Sequence, residues 1–105
     1  NTLVLPGVLA YNQEVTDYSP LAAALFPHDE GEIFYYRSDV VEIMCRNIKE
    51  LANLAGIETQ MSYYGISRDD IPMLAEEAMK QARLLVNNPR EITQEIAEDI
   101  YQKVL

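Results

Sequence analysis

The 105 residues, of which 49% are hydrophobic and 24% charged, have the composition of one globular domain. The 17 acidic and 8 basic residues give a net charge of −9, so phosphate backbones and anionic lipid surfaces would repel the chain. We therefore expect no nucleic acid or membrane partner. Cys45, the only cysteine, can form neither an internal disulfide nor a cysteine-based zinc site, as expected for a cytoplasmic protein.

The first 27 residues predict two helices. Residues 2–13 carry apolar side chains on a helical period, and Pro6 is tolerated near the start of such a helix. Ser19 followed by Pro20 has the pattern of an N-cap residue followed by proline at the first helical position, which predicts the start of the second helix. The second helix must end before Pro27, because the residue before a proline avoids the helical conformation.

A polar and aromatic stretch over residues 27–37 is predicted to be a loop, and a long amphipathic helix follows it. Ser38 stands at the N-cap position, and Gly56 stands where a left-handed residue ends the helix. Between them the apolar residues recur every three or four positions: Val41, Met44, Cys45, Ile48, Leu51, Ala52 and Ala55.

The next helix is predicted to begin with the capping box of Ser67 and Asp70, after a helical turn over residues 59–64. Pro72 falls in its first turn, where helices accept proline. One continuous apolar stripe then predicts an unbroken helix, through Ile71, Leu74, Ala75, Ala78, Met79, Ala82, Leu85 and Val86.

Asn87, Asn88 and Pro89 are predicted to end that helix, because asparagine tolerates the left-handed conformation. Thr93 then caps a last amphipathic helix that runs to the end of the chain. The pattern as a whole predicts an all-α fold of five or six helices in a single domain over residues 1–105.

Residue types that carry catalysis or bind metals are scarce in this sequence. His28 is the only histidine, and it lies in a polar loop without further nitrogen ligands at helical spacing. The acidic pairs, such as Asp69 with Asp70 and Glu76 with Glu77, are typical of helix starts and solvated faces. Cys45 lies on an apolar helix face. We therefore predict no catalytic, cofactor-binding or metal-binding residue in this chain.

Leu84 is an exception to the helical pattern. At about 100° per residue, an unbroken helix would direct Leu84 away from the stripe centred near Ala78 and Ala82. One interpretation is that the end of this helix is buried on all sides. The other is that Leu84 faces a ligand cleft or a missing domain.

Two stretches resemble the iron-containing alcohol dehydrogenase family. In the stronger, residues 56–105, Tyr-Gly-Ile-Ser is followed by Asp70-Ile71-Pro72-x-Leu74-Ala75, and then by Asn88-Pro89-Arg90-x-Ile92-Thr93-x-Glu95. The weaker is residues 1–12, which resemble the helix that follows the family's His-Gly metal motif. Family members often have His where Gly7 stands and a small residue where Thr2 stands, and residues 13–36 match loosely.

The resemblance implies the C-terminal helical half of the dehydroquinate synthase-like, iron-containing alcohol dehydrogenase fold. The parent enzyme would have a Rossmann-like N-terminal domain that binds NAD(P), and its iron would be held by one Asp and three His residues that precede Asn1. The chain would be an inactive fragment that forms one wall of the cleft for an alcohol or aldehyde, with Leu84 lining it. The missing N-terminal domain would be its partner, and the parent could be a homo-oligomer.

A self-contained, acidic helical module that binds another protein is the alternative, because it explains the composition and the helical periods equally well. It does not explain why the chain begins at Asn1 without a capping residue before its apolar run. Nor does it explain the spacing of the Asp-Ile-Pro and Asn-Pro-Arg motifs. A helical bundle with its own catalytic metal would need ligands that the sequence lacks.

Overall fold

The computed structural model describes residues 3–27 and 39–105, in which every regular element is a helix. The six α-helices, numbered here in chain order, are α1 (Leu5–Asn12), α2 (Ser19–Leu25), α3 (Val40–Leu54), α4 (Ile71–Met79), α5 (Ala82–Leu85) and α6 (Gln94–Val104). Two 3₁₀ turns, Met61–Tyr64 and Arg68–Asp70, lie between α3 and α4. The predicted all-α fold is confirmed for these residues. The predicted loop at 27–37, with His28, and the predicted cap Ser38 lie almost entirely outside them.

The apolar core has two parts that meet at α1. On one side of α1, α2 and α3 pack around a cluster of buried side chains: Leu9, Ala22, Val40, Val41, Ile43 and Met44. On the other side α6 packs against both α1 and α4, and the α4–α6 contact is the most extensive in the domain. Ile71 and Ala75 on α4, and Ala97 and Ile100 on α6, are the buried residues there.

The end of α3 has the predicted geometry. Gly56 has a left-handed φ of 78°. Its N–H donates to the carbonyl of Asn53 at 3.1 Å, while the N–H of Ile57 donates to that of Ala52 at 2.9 Å. These two bonds form a Schellman motif, which satisfies carbonyls that the helix leaves free. The Ser67–Asp70 capping box and the Thr93 cap of α6 are also confirmed.

The unbroken helix predicted from Ile71 to Val86 is wrong. It stops at Met79, and Gln81, with ψ at 48°, separates it from the single turn of α5. Ala82 and Val86 are exposed, so the stripe is buried only in its first half. The apolar period continues across Lys80 and Gln81, and the period alone therefore gave no sign of the break.

Two smaller predictions also need correction. Ser19 is the first residue of α2 rather than its N-cap, and its N–H donates to the side chain of Asp17 at 3.0 Å. Neither Asn87 nor Asn88 is left-handed, since every positive φ in the described residues belongs to a glycine. Among the same residues, no helix is long and apolar enough to cross a membrane.

Candidate functional site

The described residues contain an open apolar cleft of about 380 Å³ between α1, the α4–α5 break and α6. Its walls are mostly aliphatic: Val4, Val8, Ala78, Gln81, Leu84, Leu85, Ile92, Ala97, Ile100 and Tyr101. Because Gln81 and Tyr101 supply the only polar side chains among these residues, the cleft offers shape and apolar surface rather than charge.

Leu84 lines this cleft and leaves 60% of its surface exposed. In an unbroken helix, Leu84 would lie on the opposite side from Ala78. Because the chain turns at Gln81, both side chains instead line the same cleft. Of the two interpretations, burial on all sides is therefore wrong for Leu84.

The segment that carries Leu84 has no fully buried side chain among the four residues of α5, and Val86 is 78% exposed. The backbone N–H groups of Asn87 and Asn88 donate to the carbonyls of Leu84 and Leu85 at 3.2 and 3.1 Å. Asn88 is thereby tied to the turn that lines the cleft.

Asn88 pairs with Asn12 at the end of α1. The Asn12 side-chain amide donates to Asn88 Oδ1 at 2.7 Å, and the Asn88 amide donates back to Asn12 Oδ1 at 2.9 Å. The same Asn88 amide also donates to the carbonyl of Arg90. Asn12 is only 2% exposed, and this pairing gives its buried amide the partners that it needs.

Arg90 extends the contact to the neighbouring residues. Its Nη1 donates to the carbonyl of Tyr11 at 2.9 Å and lies 3.1 Å from the Glu14 carboxylate, while its guanidinium sits 4.1 Å from the centroid of the Tyr11 ring. The Tyr11 hydroxyl donates to the carbonyl of Glu91. Since α1 has no basic residue in its last turn, Arg90 also supplies the positive charge that a helix C-terminus favours.

We call this set of residues the clamp: Tyr11, Asn12 and Glu14 on one side, and Asn88, Arg90 and Glu91 on the other. It joins the two stretches that carry the family resemblance, although Asn12 and Asn88 lie 76 positions apart in the sequence. Sequence reasoning missed this role of Asn88, which it had interpreted as a helix terminator. No local signal could have shown it, because the partner lies at the other end of the chain.

Gly7 fixes the distance between α1 and α6, which form two walls of the cleft. A Cβ atom at this position would lie 2.9 Å from Cγ2 of Ile100 and 3.1 Å from Cγ1 of Val104. Such distances are too short for carbon atoms, whose contact optimum is roughly 3.5–4.0 Å. The helices can approach this closely because residue 7 has no side chain.

The described titratable groups with shifted pKa values lie outside the cleft. Burial raises the pKa of the Cys45 thiol, whose Sγ donates to the carbonyl of Pro6 at 3.7 Å. The hydrogen bond to Glu77, and its charge, raise the pKa of Lys80, but both side chains are solvent-exposed. In residues 3–27 and 39–105 there is no group of three or more His, Cys, Asp or Glu side chains that could hold a metal ion.

The described residues thus form a helical domain with an open apolar cleft beside α1 and α6. The model of the Fe-containing alcohol dehydrogenase family, C-terminal, matches residues 1–105, so the chain belongs to this family of oxidoreductases. The family resemblance seen in the sequence is thereby confirmed.

A sulfoacetaldehyde reductase of Bilophila wadsworthia (strain 3_1_6) is similar over a shorter stretch. It is 45% identical over 42 residues, which make up 40% of this chain and 11% of the relative. The matched segment is therefore a small part of that protein. No solved structure matches the chain significantly.

Proposed function

We propose that this chain is the C-terminal helical domain of an iron-dependent, NAD(P)-linked alcohol dehydrogenase, and that it forms one wall of the substrate cleft. The observation that carries the proposal is the match of the family model to all 105 residues. The clamp supports it, because it brings the Tyr-Asn of the first stretch into contact with the Asn-Pro-Arg of the second.

Iron does not fit the described residues, which offer no cluster of ligands. In this proposal the metal and the nucleotide are held by residues that precede Asn1, in a part of the protein that includes a Rossmann-like domain. The 105 residues by themselves then have no dehydrogenase activity. The missing N-terminal domain is the partner that completes the cleft. The complete enzyme is cytoplasmic and could form a homo-oligomer.

Within the enzyme, the residues of this chain would hold the carbon chain of an alcohol or aldehyde. Leu84, Val8 and Ile92 present apolar surface to the cleft, and burial of a substrate against them would exclude water from that side. An uncharged aliphatic group fits this wall better than an anionic one, because an anion would lose hydration there without gaining a cation. The wall thus selects by size and hydrophobicity.

The test is the gene that encodes this chain, followed by its complete product. We expect the sequence just upstream of Asn1 to end in a His-Gly motif, with further His and Asp residues and a Gly-rich nucleotide site earlier. The complete protein, loaded with Fe(II), should oxidise alcohols with NAD or NADP, whereas the 105 residues should not.

A start codon immediately upstream of Asn1, or a complete protein without dehydrogenase activity, would contradict the proposal. The first outcome would favour the alternative of a self-contained interaction module. Under that alternative, substitution of Leu84 would change the binding of a protein partner and no alcohol would be turned over.

A further inference from the structure

The clamp and the cleft share two short pieces of chain. At the start of α1, the N-cap residue Val4 and the helical residue Val8 line the cleft, and Tyr11 and Asn12, about one turn after Val8, belong to the clamp. On the other piece, Leu84 and Leu85 line the cleft, and Asn88 follows within four residues. Two of the chain segments that line the cleft are thus joined by the clamp.

The turn that carries Leu84 is only weakly buried. The single turn of α5 buries none of its residues, and Gln81 at its start makes no side-chain cap. Hydrogen bonds, unlike apolar contacts, lose strength steeply with distance and angle, so a set of them fixes a position closely. The clamp contributes the two Asn12–Asn88 bonds and the bond from Arg90 to Tyr11.

We propose that the clamp is a positioning device that sets the width of the cleft between Val8 and Leu84. Asn12, Asn88 and Arg90 thereby influence which alcohols the enzyme accepts without touching them. This inference rests on the proposed function. A shift of about 1 Å in a residue that positions a substrate is enough to alter turnover strongly.

The experiment is a double-substitution cycle in the complete protein. Arg90→Ala removes the guanidinium contacts, and Leu84→Ala removes the wall through which the clamp would act. The quantity measured is the ratio of kcat/KM for a short alcohol to that for a bulky one. Lys80→Ala is the matched control, because it removes an exposed ion pair with Glu77 just before the same segment.

We expect Arg90→Ala to change this ratio by about fivefold, and by less than about twofold when Leu84 is already Ala. Lys80→Ala should leave it unchanged. Hydrogen exchange of the amides of residues 82–87 should accelerate by roughly tenfold in Arg90→Ala and not in the control. If Arg90→Ala does not fold, Tyr11→Phe is a milder substitute, because it removes only the hydroxyl that donates to the Glu91 carbonyl. It should shift the kcat/KM ratio and the exchange rates in the same direction as Arg90→Ala.

Two results in an active enzyme would overturn the inference and leave the proposed function standing. One is an unchanged ratio in both clamp variants. The other is an equal change whether or not Leu84 is present, since the clamp would then act by another route. An inactive wild-type protein would contradict both the proposed function and this inference. The hydrogen-exchange rates would still show whether the clamp holds residues 82–87 in place.

Discussion

Around Met44, helices α1, α2 and α3 meet through buried apolar side chains, whereas the end of α1 meets residues 88–91 through amides, a guanidinium and a carboxylate. The first contact removes apolar surface from water and supplies much of the stability of the domain. The second removes little, because Arg90 keeps 33% and Glu14 68% of its side chain exposed.

The difference shows that stability and position can be supplied by different parts of one small domain. Apolar burial is non-directional and tolerates small displacements, whereas the clamp specifies distances and angles. We therefore expect substitutions in the core to change the free energy of unfolding most, and substitutions in the clamp to change the geometry of the cleft more than the stability.

Ala75→Asp should have the largest effect on folding. Ala75, on α4, is fully buried on the side where α4 packs against α6. The free-energy cost of an unpaired carboxylate there exceeds the marginal stability of a domain. We expect loss of the cooperative thermal transition in circular dichroism. Glu76→Ala, at the exposed neighbouring position, should melt like the wild type. Equal melting temperatures for the two variants would mean that the buried face of α4 is assigned wrongly.

Asn12→Ala should have the next largest effect, because it removes both hydrogen bonds between the Asn12 and Asn88 side chains and leaves Asn88 Oδ1 without its donor. A buried polar group that loses its hydrogen bond costs about 1–3 kcal/mol. Urea unfolding of the domain should show a decrease of this size in the free energy of unfolding. A decrease below the error of the measurement would show that solvent replaces the bond, and that the pair is not buried in solution.

Gly7→Ala has two effects on the free energy of unfolding, which have opposite signs and partly cancel. Alanine in a helix is favoured over glycine by roughly 1 kcal/mol, whereas overpacking against Ile100 and Val104 costs about 1–3 kcal/mol. Because the nearest atom would be the branched Cγ2 of Ile100 at 2.9 Å, we expect overpacking to prevail and the domain to lose about 1 kcal/mol. An increase in the melting temperature would show instead that α6 can move away from α1.

Glu14→Ala should have the smallest effect on stability. The Arg90–Glu14 ion pair is largely exposed on the Glu14 side, and such pairs contribute about 0–1 kcal/mol. The change in the unfolding free energy should fall in this range and diminish further in high salt. A loss as large as that of Asn12→Ala would mean that the ion pair, and not the amide pair, is the main bond of the clamp.

Local signals were enough to predict much of the fold. The left-handed Gly56, the Ser67–Asp70 capping box and the Thr93 cap depend on residues within one helical turn, and each appears as predicted. The apolar period of α3 was also informative, although Leu51 at its far end is exposed. These features require no knowledge of the rest of the chain.

The cleft and the clamp were harder to predict because they depend on distant residues. The break at Gln81 lies in a sequence whose apolar period is uninterrupted, so the sequence predicted one unbroken helix with Leu84 opposite Ala78. The pairing of Asn12 with Asn88 joins residues 76 positions apart. Composition and periodicity carry no record of such a contact.

The most direct test of the whole account is Leu84→Ala in the complete protein, assayed with short and bulky alcohols. Lining a substrate cleft predicts a change of roughly tenfold or more in the relative kcat/KM, because a few methylenes in an apolar pocket contribute about 1–3 kcal/mol. With 60% of Leu84 exposed, the loss of stability should be smaller than the roughly 2–5 kcal/mol of a buried leucine. A large loss of stability with unchanged substrate preference would contradict the account and make Leu84 a structural residue.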